Sequence, residues 1–152
     1  MGRNGGCNFS EWEKLKANLE ATDEQLSLFI ESCAKELAAR LLAKVIKRTP
    51  VGQYPSSTGK NGGTLRRGWT AGKNATEYAQ SLKVNHLGDT YVIEIVNPTE
   101  YASYVEFGHR TSNHKGWVEG KFMLTISEQE IKTAAPAILE KKISKLLGGC
   151  FK

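Results

Sequence analysis

Residues 22–48, TDEQLSLFIESCAKELAARLLAKVIKR, carry the longest uninterrupted pattern in the chain. Leu26, Phe29, Ile30, Cys33, Leu37, Leu41, Val45 and Ile46 recur at three- and four-residue intervals, which places them on one stripe of an amphipathic helix. Thr22 followed three residues later by Gln25 forms a capping box, so this helix is predicted to open there. At about 1.5 Å per residue it would extend nearly 40 Å. Thr49-Pro50 stops it, because the proline ring disfavours the α conformation in the preceding residue. Upstream, Ser10 and Glu13 form another such box, and Trp12, Leu15 and Leu19 follow at helical spacing. Residues 1–8, rich in Gly and Asn, are expected to be a flexible N-terminal arm.

Beyond the helix the periodicity disappears. Residues 51–63 are mostly Gly, Pro, Ser, Thr and Asn with few apolar side chains, predicting a long loop of the kind that is usually functional or disordered. Gly59-Lys60-Asn61-Gly62-Gly63 invites comparison with a phosphate-binding loop. The comparison fails: Tyr54 stands where the first glycine belongs, and Asn61 follows the lysine in place of Ser or Thr. Leu65 to Ala71 is then predicted as a strand, with Tyr78, Leu82 and Val84 on a second. Leu87-Gly88-Asp89-Thr90 supplies turn chemistry before Tyr91 to Val96, and this pair predicts an antiparallel hairpin ended by Asn97-Pro98. Glu100 to Phe107 is expected to be a short helix and Gly108 to Gly120 an extended loop. Apolar spacing from Met123 to Leu147 predicts a C-terminal helical segment. Pro136 would kink it or begin a new helix capped by Thr133, and Gly148-Gly149 would end it. The expected architecture is α+β, a long N-terminal helix and a C-terminal helical segment around a small antiparallel β-sheet, in a single domain spanning 1–152.

The composition excludes several function classes. The hydrophobic fraction is 39%, mean hydropathy is −0.42, and no apolar run approaches the ~20 residues of a membrane helix. Met1 to Cys7 lacks the apolar core expected of a secretory signal. Cys7, Cys33 and Cys150 are odd in number and lack metal-ligand spacing, so neither a disulfide framework nor a zinc site is expected. Cys33 lies on the apolar stripe and is expected to be a small buried hydrophobe. The three histidines, His86, His109 and His114, form no His-Glu-x-x-His arrangement, and no carboxylate cluster marks a metal-dependent nuclease. No catalytic residue, cofactor or metal is therefore expected. The net charge of +5 and pI near 9.1 motivate a second reading as a small basic DNA-binding module. In it Lys60, Arg66 and Arg67 would contact phosphates without sequence specificity and Trp69 would stack on exposed bases.

Two groups of residues point elsewhere. Tyr101-Ala102-Ser103-Tyr104-Val105-Glu106-Phe107-Gly108 precedes a basic loop and then Gly116-Trp117-Val118 and Gly120-Lys121-Phe122-Met123. Thr49-Pro50-Val51 and Gly63-Thr64-Leu65-Arg66-Arg67-Gly68-Trp69 lie upstream. In order and spacing these resemble the neck and tail-completion family, a minor tail component of long-tailed bacteriophages. The upstream motif differs from that family's pattern in being split by the insert Gln53 to Gly62.

The resemblance implies a structural virion protein that assembles as a ring at the head–tail junction and helps join tail to head, without catalysis. It implies synthesis in the bacterial host cytoplasm and a destination in a virion or phage-tail-like particle. The implied partners are further copies of the chain, with six preferred over twelve, and neighbouring head-completion, tail-terminator or tail-tube proteins. Nonspecific contact with genomic DNA would be compatible with a channel lining, and no membrane is involved. Tyr101, Tyr104, Phe107, His109, Arg110, Trp117 and Lys121 are the candidate interface residues, since aromatics and Arg dominate binding energetics at interfaces. For Tyr101, Tyr104 and Phe107 the alternative is that they pack a short helix onto the sheet.

Overall fold

A computed structural model describes residues 9–150, except the side chains of 9, 11, 12, 15, 16, 18, 19, 21, 149 and 150. The expected arm 1–8, the side chains of Trp12, Leu15 and Leu19, and the thiols Cys7 and Cys150 lie outside the described residues.

The dominant element is one helix, α1, running Phe9–Arg48, so Thr22 does not open a new one. Ser10 to Arg48 contains neither Gly nor Pro, and nothing in the chain interrupts the hydrogen-bond ladder at Thr22. The helix ends as expected: Thr49 donates from its N–H (2.9 Å) and its hydroxyl (2.7 Å) to the Val45 carbonyl, and Pro50 follows. The second long element, α5, spans Met123–Cys150 and lies antiparallel to α1. Arg48 donates to Ser127 Oγ at 3.0 Å, Lys44 pairs with Glu130 at 3.0 Å, and Lys142 pairs with Glu36 at 2.6 Å. Pro136 sits inside α5, which passes through it and on through Gly148. Thr133 does not cap a new helix; its hydroxyl donates to the Gln129 carbonyl at 3.0 Å, one turn back. Pro136 and Lys132 are both exposed, so water can satisfy the carbonyl that the proline leaves without a donor.

Between the long helices the chain forms α2 (Thr64–Gly68), α3 (Ala75–Ser81), a β1–β2 hairpin, α4 (Ala102–Phe107) and a β3–β4 hairpin. Neither expected strand, 65–71 or 78–84, forms: 65–68 belong to α2 and 78–81 to α3, and the residues after each helix are turn or irregular. Leu65 and Trp69 are four residues apart and both buried, one helical turn stacked on the core. Asn74 caps α3 by accepting from the Glu77 N–H at 2.8 Å, the start signal that the strand reading overlooked. The β1 strand (Asn85–Leu87) pairs with β2 (Thr90–Val92) across a two-residue turn, His86 opposite Tyr91 with rings stacked at 4.3 Å. Pairing stops at Val92. Residues 93–96 nevertheless keep the alternation, Ile93 and Ile95 half-buried against the core while Glu94 and Val96 face water. The expected 108–120 loop is a second hairpin, β3 (Gly108–Arg110) with β4 (Trp117–Glu119). Its closing turn is held by the Thr111 N–H on the Gly116 carbonyl and the Gly116 N–H on the Thr111 hydroxyl, each at 3.0 Å.

The architecture is therefore α+β, two long antiparallel helices with short helices and two small antiparallel sheets. Ala38, Leu42 and Val45 from α1 meet Leu65, Trp69, Ala79 and Met123 in the core. A fully buried Leu or Val contributes about 1.5–3 kcal/mol relative to exposure, so this cluster is the main force holding α2 and α3 to α1. Cys33 is buried as expected, and burial raises its thiol pKa.

Candidate functional site

The Thr49 and Arg66/Trp69 motifs meet in space. Trp69 is only 4% exposed, and its indole N–H donates to the Thr49 hydroxyl at 2.8 Å. Arg66 donates from Nε (3.2 Å) and Nη2 (2.8 Å) to the Thr49 carbonyl. That carbonyl lies just past the end of α1, where no further helical N–H can reach it, so a guanidinium fork is a suitable partner. Asn97 completes the knot by donating to the Leu65 carbonyl at 2.8 Å, and its side chain leaves no room for a Cβ at Gly68. The insert 53–62 returns to this place, with Arg67 donating to the Gly62 carbonyl at 3.2 Å and Lys60 6.0 Å above the Tyr54 ring. Arg66 and Trp69 are thus committed to internal contacts. This arrangement lends no support to the DNA-contact reading, which needs their charge and ring face in solvent.

The second half of the signature is built around Glu106. This buried carboxylate accepts from the Leu124 N–H (3.0 Å), the Thr125 N–H (2.9 Å) and the Thr125 hydroxyl (2.7 Å), capping the first turn of α5 from a separate helix. The last carbonyls of α4 are satisfied in return: Val105 accepts from the Lys121 N–H at 2.8 Å and Glu106 from the Phe122 N–H at 3.0 Å. Gly108, at φ +86°, and Gly120 have no space for a Cβ where the two backbones cross. Phe122 takes φ +46°, an uncommon conformation for a bulky residue, fixed by the bonds on either side of it.

This frame holds aromatic side chains outward. Tyr104 is 58%, Phe107 62% and Trp117 56% exposed, and Val118, Phe122 and Ile126 are exposed beside them. Phe107 and Phe122 meet edge to face at 6.4 Å, and Tyr104 tilts against His109 at 5.7 Å. Arg110 lies across the β3–β4 ladder from Trp117, on the exposed side. His109 is half-buried opposite Val118, and its Nδ1 has no hydrogen-bond partner. Lys121 is exposed at the junction into α5. Tyr101 sits apart, exposed at the start of α4 on a cleft of about 220 Å³ shared with Val51, Tyr54, Leu65 and Val105. Phe122 and Ile126 are exposed next to these candidates and are not among the interface residues that the sequence pattern singles out. The available signal for Phe122 was an aromatic immediately before the Met123 stripe and out of step with it. From Phe122 a groove of about 570 Å³ continues along α5 past Ile126 and Thr133.

Among the described residues no group of three or more His, Cys, Asp or Glu could hold a metal, and no helix is long and apolar enough to cross a membrane. What the surface offers is a ridge of exposed aromatic side chains on a backbone held by the Glu106 cap and the β3–β4 ladder.

No curated protein and no solved structure matches the chain. A family model does match, HK97-gp10-like, described as "Bacteriophage HK97-gp10, putative tail-component", over residues 13–108, from the first turns of α1 through the Thr49 knot to the glycine after α4. That span covers well over half of the chain and both motif groups up to Gly108, and the chain belongs to this family of phage tail components, structural and virion-associated.

Proposed function

We infer that the chain is a neck or tail-completion protein, forming a ring at the head–tail junction and joining tail to head through the aromatic ridge of α4 and the β3–β4 hairpin. The observation that carries this reading is the exposure of Tyr104, Phe107, Trp117 and Phe122 on a backbone fixed by the Glu106 cap. Rigid aromatics lose little side-chain entropy when covered, and Trp, Tyr and Arg contribute disproportionately to interface energy. Arg110 and Lys121 supply a polar rim, so the ridge can remain in water until a partner arrives. The occupants are neighbouring head-completion, tail-terminator or tail-tube subunits. Closed cyclic symmetry, six copies on the tail side, limits growth to a ring.

Electron cryomicroscopy of the assembled particle tests this directly. The expected result is a ring of this chain between head and tail, with Trp117 and Phe107 covered by a different protein. Density for the chain elsewhere in the particle, or none at all, would overturn the reading.

A further inference from the structure

The two long helices are unequal, and their register shows which part of α1 the described part of α5 lies against. Arg48 lies against Ser127, and Glu36 against Lys142. Continuing this antiparallel register at an equal rise per residue brings Cys150 of α5 level with Leu28 of α1. The portion of α1 from Phe9 to about Leu26 is an extension past that level, roughly 25 Å of helix. Every described side chain from Ser10 to Leu26 is exposed. Leu26 and Leu28 are exposed on α1, and Ile143, Leu146 and Leu147 are exposed at the end of α5.

The two surfaces also carry opposite charge. Among its described side chains the extension holds Glu13, Glu20, Asp23 and Glu24 against Lys14. The end of α5 holds Lys141, Lys142 and Lys145 against Glu140. Of these only Lys142 has a partner among the described ion pairs, Glu36. Asp23, Glu24, Lys141 and Lys145 are all exposed. Each copy therefore carries an acidic leucine-bearing helix and a basic leucine-bearing helix end that the fold does not bring together.

We propose that these surfaces meet between two copies of this chain, the acidic extension of α1 in one copy lying on the lysine-rich end of α5 in the next. The contact joins two different patches, so it is head-to-tail and can repeat around a ring. It rests on the ring reading above but uses a surface separate from the aromatic ridge. The ridge is thereby left free for a different protein. Charge complementarity selects the second copy, since the leucines alone would suit any apolar partner.

The test is sedimentation velocity of the full chain over a concentration series up to its solubility limit. Three variants accompany the wild type: Asp23→Lys with Glu24→Lys, Lys141→Glu with Lys145→Glu, and all four changes combined. All four positions are exposed, and circular dichroism will verify that each variant is folded. The wild type is expected to self-associate, each reversed pair to weaken association by at least about tenfold, and the four-fold swap to restore it, because only the swap re-creates opposite charge across the contact. Wild-type protein that stays monomeric throughout, reversals without effect, or a swap that fails to restore association would each overturn the proposal. A ring in the particle together with that outcome would leave the neck reading standing without this contact. Restored association with no ring at the junction would retain the contact and remove the neck reading.

Discussion

Trp69 and Trp117 lie in two regions of similar composition that the fold turns in opposite directions. Around Trp69, a threonine, an arginine and an indole form a closed set of hydrogen bonds, and the ring is almost wholly covered. Around Trp117, the backbone is equally well fixed by the Glu106 cap and the β3–β4 ladder, yet the ring faces water. Aromatic and basic side chains in a motif therefore do not mark a binding surface by themselves. What separates the two regions is whether the polar atoms of the ring and guanidinium find partners within the chain.

The sharpest break between them is expected in stability. Trp69→Ala removes a buried ring and leaves the Thr49 hydroxyl without its donor, and should cost about 3–5 kcal/mol, the range for such truncations. Urea melts will measure it. A loss below about 1 kcal/mol, within the spread of ordinary surface substitutions, would mean that the knot does not hold α2 to α1. Glu106→Ala should rank next, at about 1–3 kcal/mol, since it leaves the first N–H groups of α5 uncapped in a partly buried place. Hydrogen exchange should then be fastest at Leu124 and Thr125; an unchanged pattern there would refute the capping role.

A smaller effect is expected from the clasp between the long helices. Hydrogen bonds from Arg48 and then Lys44 hold the Glu130 carboxyl down at about 2, against its ordinary value of 4.5. A depressed carboxylate pKa contributes stability that is fully present above the unfolded value and is lost as pH falls through the folded one. The contribution of Glu130 should therefore fade between about pH 4.5 and 2, and Glu130→Gln should flatten the melting curve in that window. Glu36, lowered mainly by its hydrogen bond from Lys142, works in the same direction. Both pairs are partly solvated, so raised salt should weaken them. An acid limb that is equally steep without Glu130 would contradict this assignment.

How much of this was legible in the sequence depends on element length. The stripe from Leu26 to Ile46 is long enough to fix one period, and α1 follows from it. Leu65 and Trp69, or Tyr78 and Leu82, are each separated by four residues, which is one helical turn and also two strand repeats. Within five- and seven-residue helices that spacing cannot decide, and the strand reading followed; only the Asn74 cap separated the two. The site was legible as a list of residues and not as a direction. Tyr104 and Phe107 occupy a six-residue helix whose covered side depends on Glu106 and on where α5 begins, contacts more distant in sequence than any local pattern reports. For the same reason the local pattern leaves Arg66 and Trp69 facing outward, because their partner Thr49 lies beyond a long insert.

The smallest stability effect carries the central claim. Trp117→Ala, in the outward-facing region, should change unfolding free energy by no more than about 0.5 kcal/mol, as expected for an exposed site. Phage carrying that variant, examined by electron microscopy alongside thermal melts of the purified protein, should accumulate heads and tails that remain unjoined. A normally folded Trp117→Ala protein in fully joined, infectious particles would contradict the docking role of the ridge.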